Sequence, residues 1–61
     1  MNSNYFWGVE YDGVNGYEEE YLETFNHDEL IEWVTETLQT LGGGHADIYD
    51  EYGDFVEDLE I

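Results

Sequence analysis

The sequence predicts a small α+β domain, an antiparallel sheet covered by one helix in the order ββαββ, and three observations carry that expectation. An apolar stripe at helical spacing runs from about His27 to Leu41, between a capping residue and a triple glycine. The strand-like run before it contains Asn15-Gly16, a strong short-range hairpin signal. The run after it contains Asp50-Glu51-Tyr52-Gly53, with Asp first and Gly fourth as in a type I turn. Residues 1–61 read as one domain.

In chain order, Tyr5 to Tyr11 is rich in aromatic and β-branched residues, and alternation places Tyr5, Trp7, Val9 and Tyr11 on one face. Asp12-Gly13-Val14-Asn15-Gly16 is turn chemistry, and Tyr17 to Phe25 is the expected partner strand. Its alternation puts Tyr17, Tyr21 and Phe25 on one face with Glu19 and Glu23; a helical reading also fits Tyr17, Tyr21, Leu22 and Phe25.

Both helix ends are written in the sequence. Asn26 is a good N-cap with Glu29 at capping-box spacing, and Phe25 and Leu30 stand at the hydrophobic-staple positions. Leu30, Ile31, Val34, Leu38 and Leu41 form the apolar stripe with Trp33 on its flank, while Asp28, Glu29, Glu32 and Glu36 take the opposite face. Gly42 to Gly44 supplies the left-handed residue that ends a helix.

Two readings compete after the glycines. Ile48, Tyr49, Tyr52, Phe55, Val56 and Leu59 fall within about 120° of one helical face, so ββα followed by a second amphipathic helix is the alternative architecture. Against it stand Gly53 and the low helix propensity of Tyr, Ile, Val and Asp. A hairpin of His45 to Asp50 with Asp54 to Glu60, closed by a glycine bulge, is the preferred reading.

Charge narrows function more than any motif. The chain has 17 Asp and Glu, no Lys or Arg, and a formal net charge of −17 at pH 7. Nothing can neutralise phosphates, so a nucleic-acid binder is excluded, as is electrostatic docking to an anionic membrane. No apolar run approaches the ~18 residues of a membrane span, and the N-terminus lacks a basic region that would mark a secretory signal. A soluble cytoplasmic protein is expected. Without Cys there is no disulfide framework and no thiolate metal site. Such charge is compatible with disorder, but 11 aromatic residues and no Pro favour a folded core. A domain this small buries little surface and is destabilised by self-repulsion, so a homodimer is a plausible source of further burial.

Specific chemical sites are not evident in the spacing. Counting back from Gly53 or Gly16 puts Ile48 or Tyr11 at the first position of an EF-hand loop, which needs an acid there. His27 and His45 read as polar residues at element ends, with no carboxylate pair marked as co-ligands, so no metal or other cofactor is expected. Ser3 is the only serine, no glycine-rich phosphate loop is present, and a chain of this size has little room for a cleft. The protein is expected not to be an enzyme, with no catalytic residue.

The charge density itself suggests a role. Duplex DNA carries one charge per ~1.7 Å, so 17 charges match roughly 29 Å of duplex, close to the ~25–30 Å expected across such a domain. Glu29, Glu32 and Glu36 repeat along the helix, and Glu18 with Glu20, or Glu57 with neighbouring acids, repeat along strands. Tyr17, Tyr21, Tyr49 and Tyr52 lie between acids; packing in the core and sheet is the favoured role for each, with contact to a partner's Arg or Lys as the other.

In size, foldedness and charge the chain resembles the small acidic DNA-mimic proteins of phages and mobile elements. That resemblance covers the whole chain but rests on no motif. It implies a stoichiometric inhibitor that occupies the basic groove of a DNA-binding protein or nuclease, such as a restriction enzyme, CRISPR effector, repair enzyme or nucleoid protein, in the host cytoplasm. The alternative is an acidic binding module, antitoxin-like, that covers a basic partner without imitating DNA. An acidic halophile surface is less expected, since it would normally retain some Lys or Arg. The expected partner-binding residues are Glu18, Glu19, Glu20, Asp28, Glu29, Glu32, Glu36, Asp47, Asp50, Glu51, Asp54, Glu57 and Asp58.

Overall fold

The computed structural model describes residues 5–61; Ser3 lies outside them. The elements are β1 (Phe6–Gly13), β2 (Gly16–Glu23), α1 (His27–Thr40), β3 (Gly44–Tyr49) and β4 (Phe55–Glu60). They form one four-stranded antiparallel sheet in the order β2-β1-β3-β4, with α1 against one face. The ββαββ order holds, and the second-helix alternative is corrected to a hairpin. No helix among the described residues is long and apolar enough to cross a membrane.

The core lies between α1 and the two central strands. Leu30, Val34 and Leu38 recur every four residues along α1, and they pack with Val9 and Tyr11 of β1 and Ala46 and Ile48 of β3, all fully buried. Trp7, Leu22, Ile31, Leu41 and Leu59 close its margins. Tyr11 is the one core side chain with a polar tip. Its hydroxyl donates to Glu20 Oε2 from the neighbouring strand, so the tip is satisfied.

The capping at the start of α1 is more elaborate than a box. Glu29 N–H donates to Asn26 Oδ1 at 3.2 Å, as expected. The Glu29 carboxylate does not return to the Asn26 N–H, however. Thr24 Oγ1 stands between them, accepting from Asn26 N–H at 3.0 Å and donating to Glu29 Oε1 at 2.9 Å. At the other end Gly42 N–H donates to Gln39 O and Gly43 N–H to Leu38 O, the paired bonds of a Schellman motif. Gly42 has φ +83°, which a side chain would resist.

The first turn differs from the Asn-Gly expectation. Gly13 pairs with Gly16, so the two loop residues are Val14 and Asn15, and neither has positive φ. The reason is tertiary: Val14 N–H donates to Gly43 O and Asn15 N–H to Leu41 O, both at 2.9 Å, so the chain leaving α1 holds the turn.

The second hairpin closes as its turn signal predicts. Asp50 Oδ1 accepts from Tyr52 N–H and Asp54 N–H, both at 2.9 Å, Gly53 N–H donates to Asp50 O, and Gly53 takes φ +85°. Here lies the reason for the lost helix: Asp50 satisfies the local backbone in a turn, and Gly53 adopts a conformation no helix contains. The pairing then slips, because Tyr49 opposes Phe55 whereas Ile48 opposes Glu57. Val56 is the extra, bulged residue, and it turns Phe55 to the face away from the helix.

Candidate functional site

Strand register decides which side chains share the face that α1 leaves open. Strict alternation from Val9 and Tyr11, which point into the core, puts Phe6, Gly8, Glu10 and Asp12 of β1 on the other side. Their partners follow from the pairing and produce three files across the sheet. One is Tyr17–Asp12–His45–Glu60, the next Glu19–Glu10–Asp47–Asp58, and the third Tyr21–Gly8–Tyr49–Phe55.

The middle file sets four carboxylates side by side on four adjacent strands. At a strand spacing of ~4.8 Å it spans roughly 14 Å. Like charges directly opposite one another destabilise a sheet. His45 relieves one end: its Nε2 lies 2.7 Å from Asp47 Oδ1 and 3.7 Å from Asp58 Oδ2. The hydrogen bond to Asp47 raises the His45 pKa above its ordinary value against the opposing effect of desolvation, and the charges of Asp47, Asp58 and Glu60 raise it further. Among the described residues no ion pair reaches Glu10 or Glu19.

The third file is aromatic. The ring of Tyr21 lies over Gly8, its Cε1 3.4 Å from where a Cβ would stand, so the glycine makes room for it. Tyr49 and Phe55 meet edge to face with centroids 5.9 Å apart. Beside them a shallow open depression of about 520 Å³ is bordered by Phe6, Tyr21, Tyr49, Tyr52, Glu10 and Glu19. Tyr21 is 86% exposed, Tyr52 81% and Phe55 58%. Burial in core and sheet, the favoured expectation for the tyrosines, is therefore corrected for Tyr17, Tyr21 and Tyr52. They lie on or beside a face that, among the described residues, no element covers. The phenols of Tyr17 and Tyr49 are pushed above the usual tyrosine range by desolvation first and by the charge of Glu10 next.

No protein-family model, curated protein or solved structure matches the chain.

Of the sequence-predicted contact residues, the fold brings Glu19, Asp47 and Asp58 together on the open face. Glu18 and Glu20 lie on the helix side of β2, so they are not on the same face as Glu19. Glu20 is committed to Tyr11 and lies 3.4 Å from Thr37 Oγ1. Asp28, Glu29, Glu32 and Glu36 are exposed on α1, with Glu29 engaged in the cap. Asp50, Glu51 and Asp54 cluster at the β3–β4 turn, where Asp50 is occupied by backbone donors. Glu57 faces the helix, its Oε1 2.6 Å from His27 Nε2, whereas Asp58 faces away.

Acids absent from the expected set are Glu10, Asp12, Glu23 and Glu60. The alternation of Val9 and Tyr11 carried the signal that Glu10 points outward. Of the acids in file with it, Glu19 lies on the expected partner strand, whereas Asp47 and Asp58 come from strands whose place beside β1 no local pattern specifies. His45 differs in the same way: the fold places Asp47 and Asp58 beside it, with candidate ligand atoms of the three residues within 4.8 Å of one another, although their spacing in the chain marks no pair.

Proposed function

We propose that the protein is a DNA-mimic inhibitor, which occupies the basic groove of a DNA-binding protein or nuclease of the restriction, CRISPR, repair or nucleoid kind and blocks it stoichiometrically. The observation that carries this reading is charge on a rigid frame. Seventeen carboxylates and no Lys or Arg are distributed along a body 40 Å long, about one charge per 2.4 Å against ~1.7 Å for duplex DNA. Four of them stand in file on neighbouring strands, so part of this charge is held at fixed spacing. The body is longer than the ~25–30 Å expected from chain length, so its density is below that of a duplex, not equal to it.

The protein would act in the cytoplasm of the cell that holds its target, without binding nucleic acid or membrane itself. Association would be fast and strongly salt-dependent, because like DNA it is drawn in by long-range attraction. The exposed aromatic residues favour one second reading, an antitoxin-like acidic module that covers a basic protein elsewhere than its DNA groove. Phosphate chains have no counterpart to Tyr21, Tyr52 and Phe55.

Capture from a nuclease-treated bacterial lysate, with and without excess duplex DNA, separates the two. A dominant DNA-binding protein that duplex displaces is the expected result. A specific partner that resists duplex would overturn mimicry in favour of the second reading.

A further inference from the structure

The file Glu19–Glu10–Asp47–Asp58 departs from the usual pairing of a sheet, in which opposite charges or apolar residues face one another. Among the described residues His45 is the only cation that reaches this file, at the Asp47 and Asp58 end, and the Glu19 end receives a single neutral hydrogen bond of 3.4 Å from the Tyr17 hydroxyl. A local rule broken with less than full charge compensation from within the chain is characteristic of a functional surface. The missing cation would then come from outside the chain.

Which cation follows from the next file. One step along the strands, ~6.6–6.8 Å away, lies the aromatic row of Tyr21, Tyr49 and Phe55, with Tyr52 beyond it. A divalent ion would use the carboxylates and leave the rings unused, and a lysine ammonium, a compact and strongly hydrated charge, would engage the rings only weakly. An apolar partner would use the rings and strand the carboxylates without water. A second copy of the chain would set one acid row against another, with −17 on each protomer. The guanidinium group uses both files, because it presents a planar fork of donors to a carboxylate and a weakly hydrated flat face to an aromatic ring. The outer face of α1 offers Glu32 and Glu36 with only the single, half-buried ring of Trp33 beside Glu36 and no row of aromatic residues.

We propose that the open face of the sheet docks arginine side chains of the basic partner, their guanidinium groups paired with the Glu19–Glu10–Asp47 carboxylates while their planes lie on Tyr21, Tyr49 or Phe55. The proposal rests on the reading that the partner is basic and names the face and the chemistry. It replaces the helix stripe and turn acids as the principal contact.

The test is a titration of the full chain at physiological salt with two flexible octapeptides of equal charge, one alternating Arg with Gly and the other Lys with Gly. Binding is followed by calorimetry and by amide shifts in NMR. The arginine peptide should bind roughly fivefold to tenfold more tightly and shift amides of β1 and β3. Tyr21→Ser with Phe55→Ser, both at exposed positions, should reduce the arginine peptide to the lysine level, whereas Glu10→Gln with Glu19→Gln should weaken both peptides. Equal binding of the two peptides, or shifts confined to α1, would overturn the proposal, and the wild-type measurements decide it even if a variant is unstable. An arginine preference combined with a captured target that duplex cannot displace would sink mimicry and leave this inference standing; the reverse pair would sink this inference alone.

Discussion

Glu10 and Asp47 stand directly opposite one another on β1 and β3, at the centre of the sheet and on the face turned away from the helix. Each also has an acid on its other side, Glu19 and Asp58 respectively. The four strands are held by the core beneath them, so the carboxylates cannot separate without breaking the sheet. Hydrophobic burial on one face thus sustains electrostatic repulsion on the other.

One consequence concerns stability. Glu10→Gln removes a like charge opposite Glu19 and Asp47 and should stabilise the domain by about 0.2–1 kcal/mol, the usual size of a cross-strand pair interaction. For a domain of this size that raises the melting temperature by up to about 4–8 °C. Added sodium chloride should raise the wild-type melting temperature by screening the same repulsion, and less so in the variant. Calorimetric scans across a salt series would show it, and a wild-type melting temperature that falls with salt would refute the repulsion argument.

The His45 imidazole provides a second. Its folded-state pKa is raised, chiefly by the hydrogen bond to Asp47, so the folded protein holds that proton more tightly than the unfolded chain does. The resulting stability is fully present below the unfolded value near 6.5 and is lost as pH rises through the raised folded value. An NMR titration of the ring should give a midpoint above 6.5, and Asp47→Asn should lower it. A midpoint unchanged in that variant would show that Asp47 does not hold the proton.

Thr24 carries the third. It is buried, and its hydroxyl links the Asn26 N–H to the Glu29 carboxylate while its carbonyl accepts Trp7 Nε1–H at 2.7 Å. Thr24→Val keeps the shape and removes only the hydroxyl, so the cost should be about 0.5–2 kcal/mol, as for loss of a helix cap. Urea unfolding should show a lower midpoint with an unchanged slope. An unchanged midpoint would mean that water or Asn26 alone suffices at this helix start.

Much of the fold was legible because its signals are local. Asn26 and Gly42 bracket the helix through their own backbone preferences, and Asp50 with Gly53 closes the second hairpin within five residues. The first turn was legible in place but not in form: Asn15-Gly16 suggests a self-sufficient turn, yet the bonds to Leu41 and Gly43 hold Val14 and Asn15 in the loop. The bulge at Val56 left no local mark. Without it, alternation sends Phe55 toward the core, and the aromatic file loses a member.

The candidate site was less legible, since a face of a sheet is assembled from separate strands. Acids such as Glu32 and Glu36 on one helix declare their proximity by spacing alone. Glu10 is 37 residues from Asp47 in the chain and adjacent to it in space. The tyrosines were misplaced for a related reason: alternation shows that Tyr17 and Tyr21 share a side of β2, but not which side the helix covers.

By itself, then, the sequence determined the elements, their ends, the single helix and the net charge of −17, because each follows from composition or from contacts within a few residues. Only the tertiary structure decided the order β2-β1-β3-β4, the pairing of every acid on the open face, the partner of His45 and the exposure of the aromatic file. These depend on pairings between distant strands. They are selected by the one arrangement that buries Val9, Tyr11, Ala46 and Ile48 beneath α1.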